Sequence, residues 1–555
     1  MAPVPLEPRL SYTGIALVAL HASSAIYFTL SVARSLAHSY KSLSPAQDVR
    51  LRQDRRRKLV PLFSGLALLS LGTAIYSAYT YTQLSYQVWA DARGYLPKAQ
   101  TSILDDVTGN VTTNLTNTGQ PNATELAIYR IRWLADTPIY QDAFEIVAEK
   151  ARRFWWGQQI DLAMVPWSVL LAIEGMRRRI PNLFAFLCLA HLVSLSFAQN
   201  LFYVALLLTP TPLPAVDKPT TRWTRVRDTI SPPKPQNWSL KPGVFLLSIA
   251  LSYAGIFYLP YAAATPTFNR VVAAARGLTF APLILQSLAP VSWGLVHPHP
   301  EKADSAFTDL FRLMSFLSLA LHGVTTFTGL RYNLPDSHYH RHSKLLPWDI
   351  EERSRWERAR TASGKLLGSM ADHPVVAAVG YDVLVSGLSL GIWAAVRSLR
   401  ASHILTSAVP LYEDTNNAAS GGHISEEKAT DKDDDDDDKA STSGSVRRSG
   451  RQHKARVPSV SSVTSRDGDD HHHRAAAPAP RRRGRPRKVK HDPEEEPGDE
   501  TYKPSAEEVR NSAEGDSLPS PEVDWEAAAV AWGLTALGGL GLGSAGVFGG
   551  ECLAR

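Results

Sequence analysis

Cysteine is nearly absent from this chain, which has 555 residues and only two cysteines, Cys188 and Cys552. Two cysteines provide neither a disulfide framework nor a metal site built from CxxC pairs. A basic segment ahead of the first apolar run is also missing, and that run is long, so no cleaved signal peptide is expected. We interpret the run as a retained first helix.

Apolar stretches are abundant instead. Residues 1–400 contain apolar blocks of about 20 residues, the length that a bilayer core requires. They predict an all-α fold, a polytopic transmembrane helix bundle of about eight spans. The predicted spans are residues 12–32, 59–82, 155–179, 183–208, 244–264, 278–295, 306–330 and 375–396.

The C-terminal part of the chain has a different composition. Residues 401–524 are charged and rich in proline and serine, which predicts a long disordered tail. Residues 525–555 follow, and their apolar part, 527–550, is long enough to span a membrane but rich in glycine, which weakens a helix. This part is a candidate ninth span, a re-entrant segment or a surface-lying segment.

The distribution of arginine and lysine predicts the sidedness of the bundle. Loop 41–58 is strongly basic and is therefore expected to be cytosolic. The next loop, 91–152, is then lumenal, and it carries the N-glycosylation sequons of Asn110, Asn114 and Asn122. A fourth sequon, at Asn237, lies in loop 209–243, which we also place in the lumen. The expected location is the endoplasmic reticulum or another endomembrane, with the lipid bilayer as the partner.

Ionisable residues within the predicted spans are the candidate catalytic groups. These are Asp161 and Glu174 in the third span, His191 and Gln199 in the fourth, and Asp382 in the eighth. A carboxyl group in an apolar pocket stays protonated more easily and can act as a general acid. We expect Asp161 or Asp382 to donate the proton and His191 and Gln199 to orient the reacting groups.

Glu174 has a competing interpretation. It precedes Arg177 and Arg178 by three and four residues, the spacing of ion pairs on one helix face. Asp309 precedes Arg312 by three residues and invites the same explanation. In the eighth span, by contrast, Asp382, Ser386, Ser389 and Trp393 form a polar-edged stripe on one helix face.

Aromatic residues accompany these carboxylates. The faces of Trp155, Trp156, Trp167 and Trp393 could stabilise a developing carbocation. An intramembrane acid and aromatic rings are what a protonation-initiated cyclisation of a lipid-soluble substrate requires. No cofactor is predicted. His338, His340 and His342 alternate beside Asp336, but this is a basic loop without cysteine, so we predict a solvated loop and no metal site.

Residues 481–490 of the tail contain a basic motif. Arg483, Gly484, Arg485 and Pro486 match the core of an AT-hook, an extended segment that lies in a narrow A·T minor groove. The span count places the tail in the lumen, so we do not expect nucleic-acid binding. A disordered basic patch is the competing interpretation.

Three stretches carry a resemblance to a known group of proteins. They are WWGQQIDLAMVPWSVLLAIEGMRRRIPNL (155–183), LVSLSFAQNLFYVALLLTP (192–210) and YDVLVSGLSLGIWAAVRSL (381–399). Over about residues 10–400 the chain resembles fungal multi-pass membrane proteins of secondary-metabolite pathways. Some of these are membrane-bound terpene cyclases, among them the cyclase of ascofuranone biosynthesis. The resemblance implies a cyclase or isomerase acting on a prenylated substrate.

Two other function classes compete with the enzyme. One is a non-enzymatic membrane protein, an anchor or a nuclear-envelope protein whose tail recruits partners. The other is a transporter, which we disfavour because the sequence shows no inverted repeat and no paired broken helices.

Overall fold

The computed structural model describes the chain in segments. These are residues 12–41, 50–94, 123–178, 180–209, 238–296, 307–335, 340–341, 350–351, 354–397, 399–410, 412 and 523–553. Several predictions fall outside this range. They concern the sequons of Asn110, Asn114, Asn122 and Asn237, the AT-hook-like segment 481–490, His338 and His342, and nearly all of the predicted tail.

The described chain is mostly helical, as predicted. The helices are α1 (Tyr12–Lys41), α2 (Arg50–Ala92), α3 (Ala123–Asp136), α4 (Ile139–Ala148), α5 (Ala151–Leu170), α6 (Leu183–Leu192), α7 (Leu195–Leu208), α8 (Pro242–Ala262), α9 (Phe268–Leu278), α10 (Ala281–Leu288), α11 (Thr308–Asn333), α12 (Arg355–Gly368), α13 (Pro374–Arg397), α14 (Ala401–Ala408) and α15 (Trp525–Leu553). Two short antiparallel strand pairs join β1 (Trp238–Leu240) to β2 (Gly294–Val296) and β3 (His340–Arg341) to β4 (Ile350–Glu351).

Among the described residues, six helices are long and apolar enough to cross a membrane. They are Tyr12–Lys41, Arg56–Ala92, Pro242–Ala262, Thr308–Asn333, Pro374–Arg397 and Trp525–Cys552. Helices α9 and α10 meet at an angle of 46°. If this bent pair counts as one span, the number of candidate spans is seven. The predicted number of eight spans is therefore not confirmed. Three predicted spans are missing from the six helices. Spans 155–179 and 183–208 are absent, and the predicted span 278–295 is helical only over Ala281–Leu288, before a 3-10 turn at Val291–Trp293 and strand β2.

Polar contacts near the helix ends define two opposite faces of the bundle. We call one of them the arginine face and define it by Arg56, Arg178 and Arg397. There, Arg56 Nε donates to the carbonyl of Leu207 at 3.1 Å. At the tryptophan face, defined by Trp89 and Trp133, Trp89 Nε1 donates to Asp136 at 3.2 Å.

The start of α5 also lies at the tryptophan face, because Arg152 pairs there with Asp372 at 2.7 Å. A π-helical turn, Leu171–Gly175, continues α5 to Arg178 at the arginine face. The predicted third span thus connects the two faces. Its polar residues, Gln158, Gln159 and Asp161, make it less apolar than a lipid-exposed helix, and other helices enclose most of it.

The predicted fourth span is wrong, because the chain folds back in its middle. The rings of Phe186 in α6 and Phe202 in α7 lie 5.6 Å apart, whereas sixteen residues of continuous helix would separate them by about 24 Å. The break falls at Ser194, whose backbone is extended and whose hydroxyl accepts a hydrogen bond from the Phe197 N–H at 3.2 Å. Helices α6 and α7 therefore form a hairpin.

Both ends of this hairpin lie near the arginine face, since Arg178 Nη1 donates to the carbonyl of Thr209 at 3.5 Å. One membrane crossing is thereby removed from the predicted order. Arg397, at the end of α13, therefore lies at the same face as Arg56 and Arg178, whereas the predicted order of eight spans would place it opposite them.

The C-terminal helix α15 is a second hairpin. Its backbone is non-helical at Gly538 and at Gly539, where φ is 74° and ψ is 175°. A Cβ atom on Gly546 would lie 3.2 Å from Leu534 Cδ1, whereas twelve residues of straight helix span about 18 Å. Residues 527–550 therefore do not form one straight span, although they are long and apolar enough for one. Among the predicted alternatives, a re-entrant segment has this fold-back shape.

A buried ion cluster holds the end of α15 in place. Glu551 has no exposed surface, and Arg397 Nε lies 2.9 Å from its carboxylate. Arg178 lies 3.7 Å from the same carboxylate and 3.2 Å from that of Glu174. The cluster thereby joins α13, α15 and the end of α5, which are far apart in sequence.

The turn of the α15 hairpin predicts an effect of substitution. A side chain at Gly539 would occupy a backbone region that is nearly exclusive to glycine, which costs about 1–3 kcal/mol, and its Cβ would lie 2.8 Å from His322 Nδ1. We expect Gly539→Ala to lower the melting temperature of the detergent-purified protein by several degrees. The control is Gly533→Ala, because Gly533 has open space around it. Equal melting temperatures for the two variants would contradict the turn.

The ion cluster predicts a second effect. Glu551→Gln leaves buried arginine charge without its carboxylate, which destabilises a protein by about 3–5 kcal/mol. Thermal unfolding should therefore shift strongly downwards for this variant. The exposed Glu526, in the first turn of the same helix, supplies the matched control Glu526→Gln, which should unfold like the unmodified chain. A stable Glu551→Gln variant would show that the cluster contributes little.

Candidate functional site

A cavity of about 1200 Å³ lies between the tryptophan face and the α6–α7 turn. Helices α1, α2, α5, α9 and α13 surround it, α3 and α4 cover it, and the turn between α6 and α7 forms its floor. Three of the five predicted catalytic residues line it, namely Asp161, His191 and Asp382. The sequence therefore identified part of the site, although these residues come from three separate helices.

Asp161 is an ionisable group of this cavity that has no direct partner among the described residues. No described residue makes a hydrogen bond or an ion pair with its carboxylate. Arg276 of α9 lines the same cavity and interacts with Asp161 electrostatically, without a direct ion pair. The guanidinium carbon of Arg276 lies 4.4 Å from the centre of the Phe144 ring, a cation–π contact.

Arg276 was not predicted as a site residue but was placed in a loop between two spans. The structure instead places it near the end of α9, inside the bundle. The sequence contains a signal for this position, because Arg276 is the single charged residue of the apolar stretch from Val271 to Leu288. Such a charge within an apolar run commonly faces the interior of a membrane protein.

His191 is held by the bend between α9 and α10. Its Nε2 atom lies 2.8 Å from Thr279 Oγ1, and its ring stacks on that of Phe280 with centres 5.2 Å apart. These contacts fix the ring at the cavity floor. The predicted orienting role of His191 is therefore sterically feasible.

Asp382 also lines the cavity, but both of its oxygens are engaged. They accept hydrogen bonds from the backbone N–H groups of Leu195, at 2.9 Å, and Ser196, at 2.7 Å. These groups lie in the first turn of α7, where no intrahelical acceptor exists. Asp382 thus caps a helix that begins inside the bundle. Because both carboxylate oxygens already act as acceptors for the helix, Asp382 suits a positioning role better than proton donation.

The stripe predicted on the eighth span packs mainly against α7, and its Trp393 also contacts Phe63 of α2, with ring centres 5.6 Å apart. Asn200 Nδ2 donates to Ser389 Oγ at 2.9 Å, and the ring of Tyr203 stacks on that of Trp393 with centres 4.3 Å apart. Together with the Asp382 cap, these contacts run along the length of α7. They anchor the inner arm of the hairpin to α13.

Glu174 and Gln199 do not belong to the cavity. Glu174 is fully buried at the arginine face, where it pairs with Arg177 and Arg178, as the competing interpretation stated. Gln199 Nε2 donates to Tyr203 Oη at 2.6 Å within α7, away from the cavity lining. The prediction of a catalytic role for Gln199 assumed one continuous helix from His191 to Gln199, and the break at Ser194 separates them.

The predicted tryptophans also lie elsewhere. Trp155, Trp156, Trp167 and Trp393 are not among the residues that line the cavity. Its aromatic lining comes instead from the following residues: Tyr79, Tyr81, Tyr86, Trp133, Tyr140, Phe144, Phe154 and Phe268. Most of these lie on α2, α3 and α4, and α3 and α4 belong to the loop 91–152 that was predicted to be lumenal.

The cavity is open on one side, between α1 and α2. Ile26 of α1 and Ile75 of α2 both line it, yet 61% and 60% of their surfaces are exposed. Tyr79, one turn further along α2, is 60% exposed. Since α1 and α2 are apolar enough to span a membrane, this opening faces the position of hydrocarbon.

No protein-family model, no curated protein sequence and no solved structure matches this chain. Its class therefore rests on the fold. The six apolar helices of the described residues are those of a helical membrane protein.

The helix cap predicts how Asp382 contributes. Asp382→Ala removes the acceptor of two buried N–H groups, and loss of an N-cap costs about 0.5–2 kcal/mol. We expect a lower melting temperature in detergent. The control is Asp91→Ala, since Asp91 is exposed, and this variant should have the melting temperature of the unmodified chain. If Asp382→Ala were as stable as the control, the cap would not hold the hairpin.

Proposed function

We propose that this protein is a membrane enzyme of the isomerase or cyclase kind that acts on a lipid-soluble, prenylated substrate. The observation that carries this proposal is the position of Asp161, a carboxyl group without a direct partner in a large, mainly apolar cavity. Low polarity favours the protonated form of such a group, which can then donate its proton. A cavity of about 1200 Å³ also accommodates a ligand of terpenoid size.

The chemistry needs no cofactor. Asp161 donates a proton to an alkene or epoxide of the substrate and becomes a carboxylate. The carbocation closes a ring and then loses a proton, which returns to Asp161, so that substrate and product are isomers. Tyr81, Trp133 and Tyr140 provide ring faces that stabilise the positive charge, and His191 orients the reacting end.

The lateral opening supports a substrate that arrives from the bilayer. Ile26 and Ile75 present apolar surface on both sides of it, so a prenyl chain would pass between α1 and α2 without contact with water. The resemblance to membrane-bound terpene cyclases of fungal secondary metabolism supports the same substrate class. We place the enzyme in the endoplasmic reticulum or another endomembrane.

The test of the proposal is a comparison of whole-cell organic extracts by untargeted mass spectrometry. Cells carrying the unmodified full-length chain should contain a compound that is isomeric with one that accumulates in the deletion strain. Asp161→Asn should lower its formation by at least roughly 100-fold, the usual effect of removing a general acid. Asp382→Asn should reduce the amount of folded protein more than the activity per folded molecule.

The control for this comparison is Asp309→Asn, since Asp309 is an exposed carboxylate whose side chain is 89% exposed. That variant should behave like the unmodified chain. Full product formation by Asp161→Asn at equal protein level would contradict the assignment of the acid. The absence of any isomeric pair of compounds would contradict the enzyme itself and favour a non-enzymatic anchor.

A transporter is the second candidate. It is favoured by the α6–α7 and α15 hairpins, because helices that end inside a bundle often form transport sites. These are the broken helices that the sequence had not revealed. A transporter predicts that one compound moves between cells and medium without any change of structure. The same extracts, compared with the medium, therefore separate the two functions.

A further inference from the structure

A second cavity, of about 530 Å³, lies beside the N-terminal part of α5. Helices α8 and α11 form its other walls. Gly157 and Asp161 line the large cavity, whereas Gln158 lines this one, and Ala148 and Phe154 line both, so α5 and the end of α4 form the wall between the two. The second cavity is therefore distinct from the proposed active site.

Gln158 is the unusual residue of this cavity. Its side chain is 2% exposed, and its Oε1 atom accepts no hydrogen bond from any described residue. The next residue, Gln159, is similarly buried but donates to the carbonyl of Trp155 and accepts from the N–H of Leu540. A buried amide oxygen without a donor is costly. Gln158 thus lacks a donor that a ligand could provide.

The walls of the cavity indicate what kind of molecule that ligand is. Phe257, Leu321 and Val324 make one side apolar, and about half of the surface of Phe257 and of Val324 is exposed, at 48% and 50%. This side faces outwards along helices that are apolar enough to span a membrane. The ligand therefore has hydrocarbon chains.

The mouth of the cavity carries charged residues of both signs. Glu149, Lys150 and Arg152 line it at the tryptophan face, and Arg152 is already paired with Asp372. Lys150 is exposed and forms no ion pair with a described acidic residue. Lys150 and Gln158 lie about 12 Å apart along the axis of α5. Two long side chains and a head group between them can span this distance. An anionic head group fits Lys150.

We propose that this cavity binds an anionic membrane lipid that carries a hydrogen-bond donor next to its head group. Lys150 attracts the phosphate, and Gln158 Oε1 accepts a hydrogen bond from an amide N–H or a hydroxyl of the lipid backbone. The hydrocarbon chains lie against Phe257, Leu321 and Val324. A diacylglycerol lipid with the same phosphate has ester oxygens at this position and no N–H or hydroxyl, so it provides no donor for Gln158 Oε1.

Two lipids with the same phosphate head group test the proposal. Ceramide phosphate has an amide N–H and a hydroxyl beside the phosphate, and phosphatidic acid has neither. Native mass spectrometry of the full-length protein in detergent, with each lipid added in turn, measures the bound fraction. We expect ceramide phosphate to bind roughly five-fold more tightly, the effect of one buried hydrogen bond.

Two variants assign the contacts. Gln158→Leu should abolish the preference between the two lipids while both still bind. Lys150→Gln should weaken both lipids to a similar extent, and the exposed Lys365→Gln, on α12, should change neither. Because Lys150 is on the surface, its variant remains informative even if Gln158→Leu does not fold. Equal binding of the two lipids by the unmodified protein, or a preference that survives Gln158→Leu, would overturn the proposal.

Discussion

The structure depends on one constraint: a helix that begins inside an apolar bundle must find acceptors for its first N–H groups. Helix α7 begins there, and the carboxylate of Asp382 accepts from Leu195 and Ser196. Without such an acceptor, the chain could not turn at Ser194 in the middle of the bundle. The cap therefore allows the α6–α7 hairpin, and the hairpin in turn forms the floor of the large cavity.

The same constraint links the fold to the proposed chemistry. The hairpin stops half-way, so the space that a crossing helix would fill between α1, α2 and α5 remains open. Asp161 faces this space without a direct partner, while Glu174, near the end of the same helical stretch, is neutralised by Arg177 and Arg178. Two carboxylates of one stretch thus have opposite environments. Of the two, only Asp161 lies where the proposed proton transfer would take place.

Local spacing predicted some of the site correctly. The pairing of Glu174 with the arginines three and four residues later needs only one helix, and the stripe from Asp382 to Trp393 needs only helical periodicity. The roles of Gln199 and of the four tryptophans could not be predicted in this way. They depended on whether helix 183–208 is continuous and on which helices surround the cavity, and both depend on contacts distant in sequence.

The sequence by itself determined the class of the protein, because apolar blocks of bilayer length and basic helix ends follow from composition alone. It also marked Asp161, His191 and Asp382 as buried ionisable groups. Only the tertiary structure decided which blocks cross and which fold back. A spanning helix and a re-entrant hairpin have the same apolar composition. In the α6–α7 hairpin the difference lies in a cap at Ser196 that Asp382, more than 180 positions away in the sequence, provides. In α15 it lies in a glycine turn at Gly539 that packs against His322.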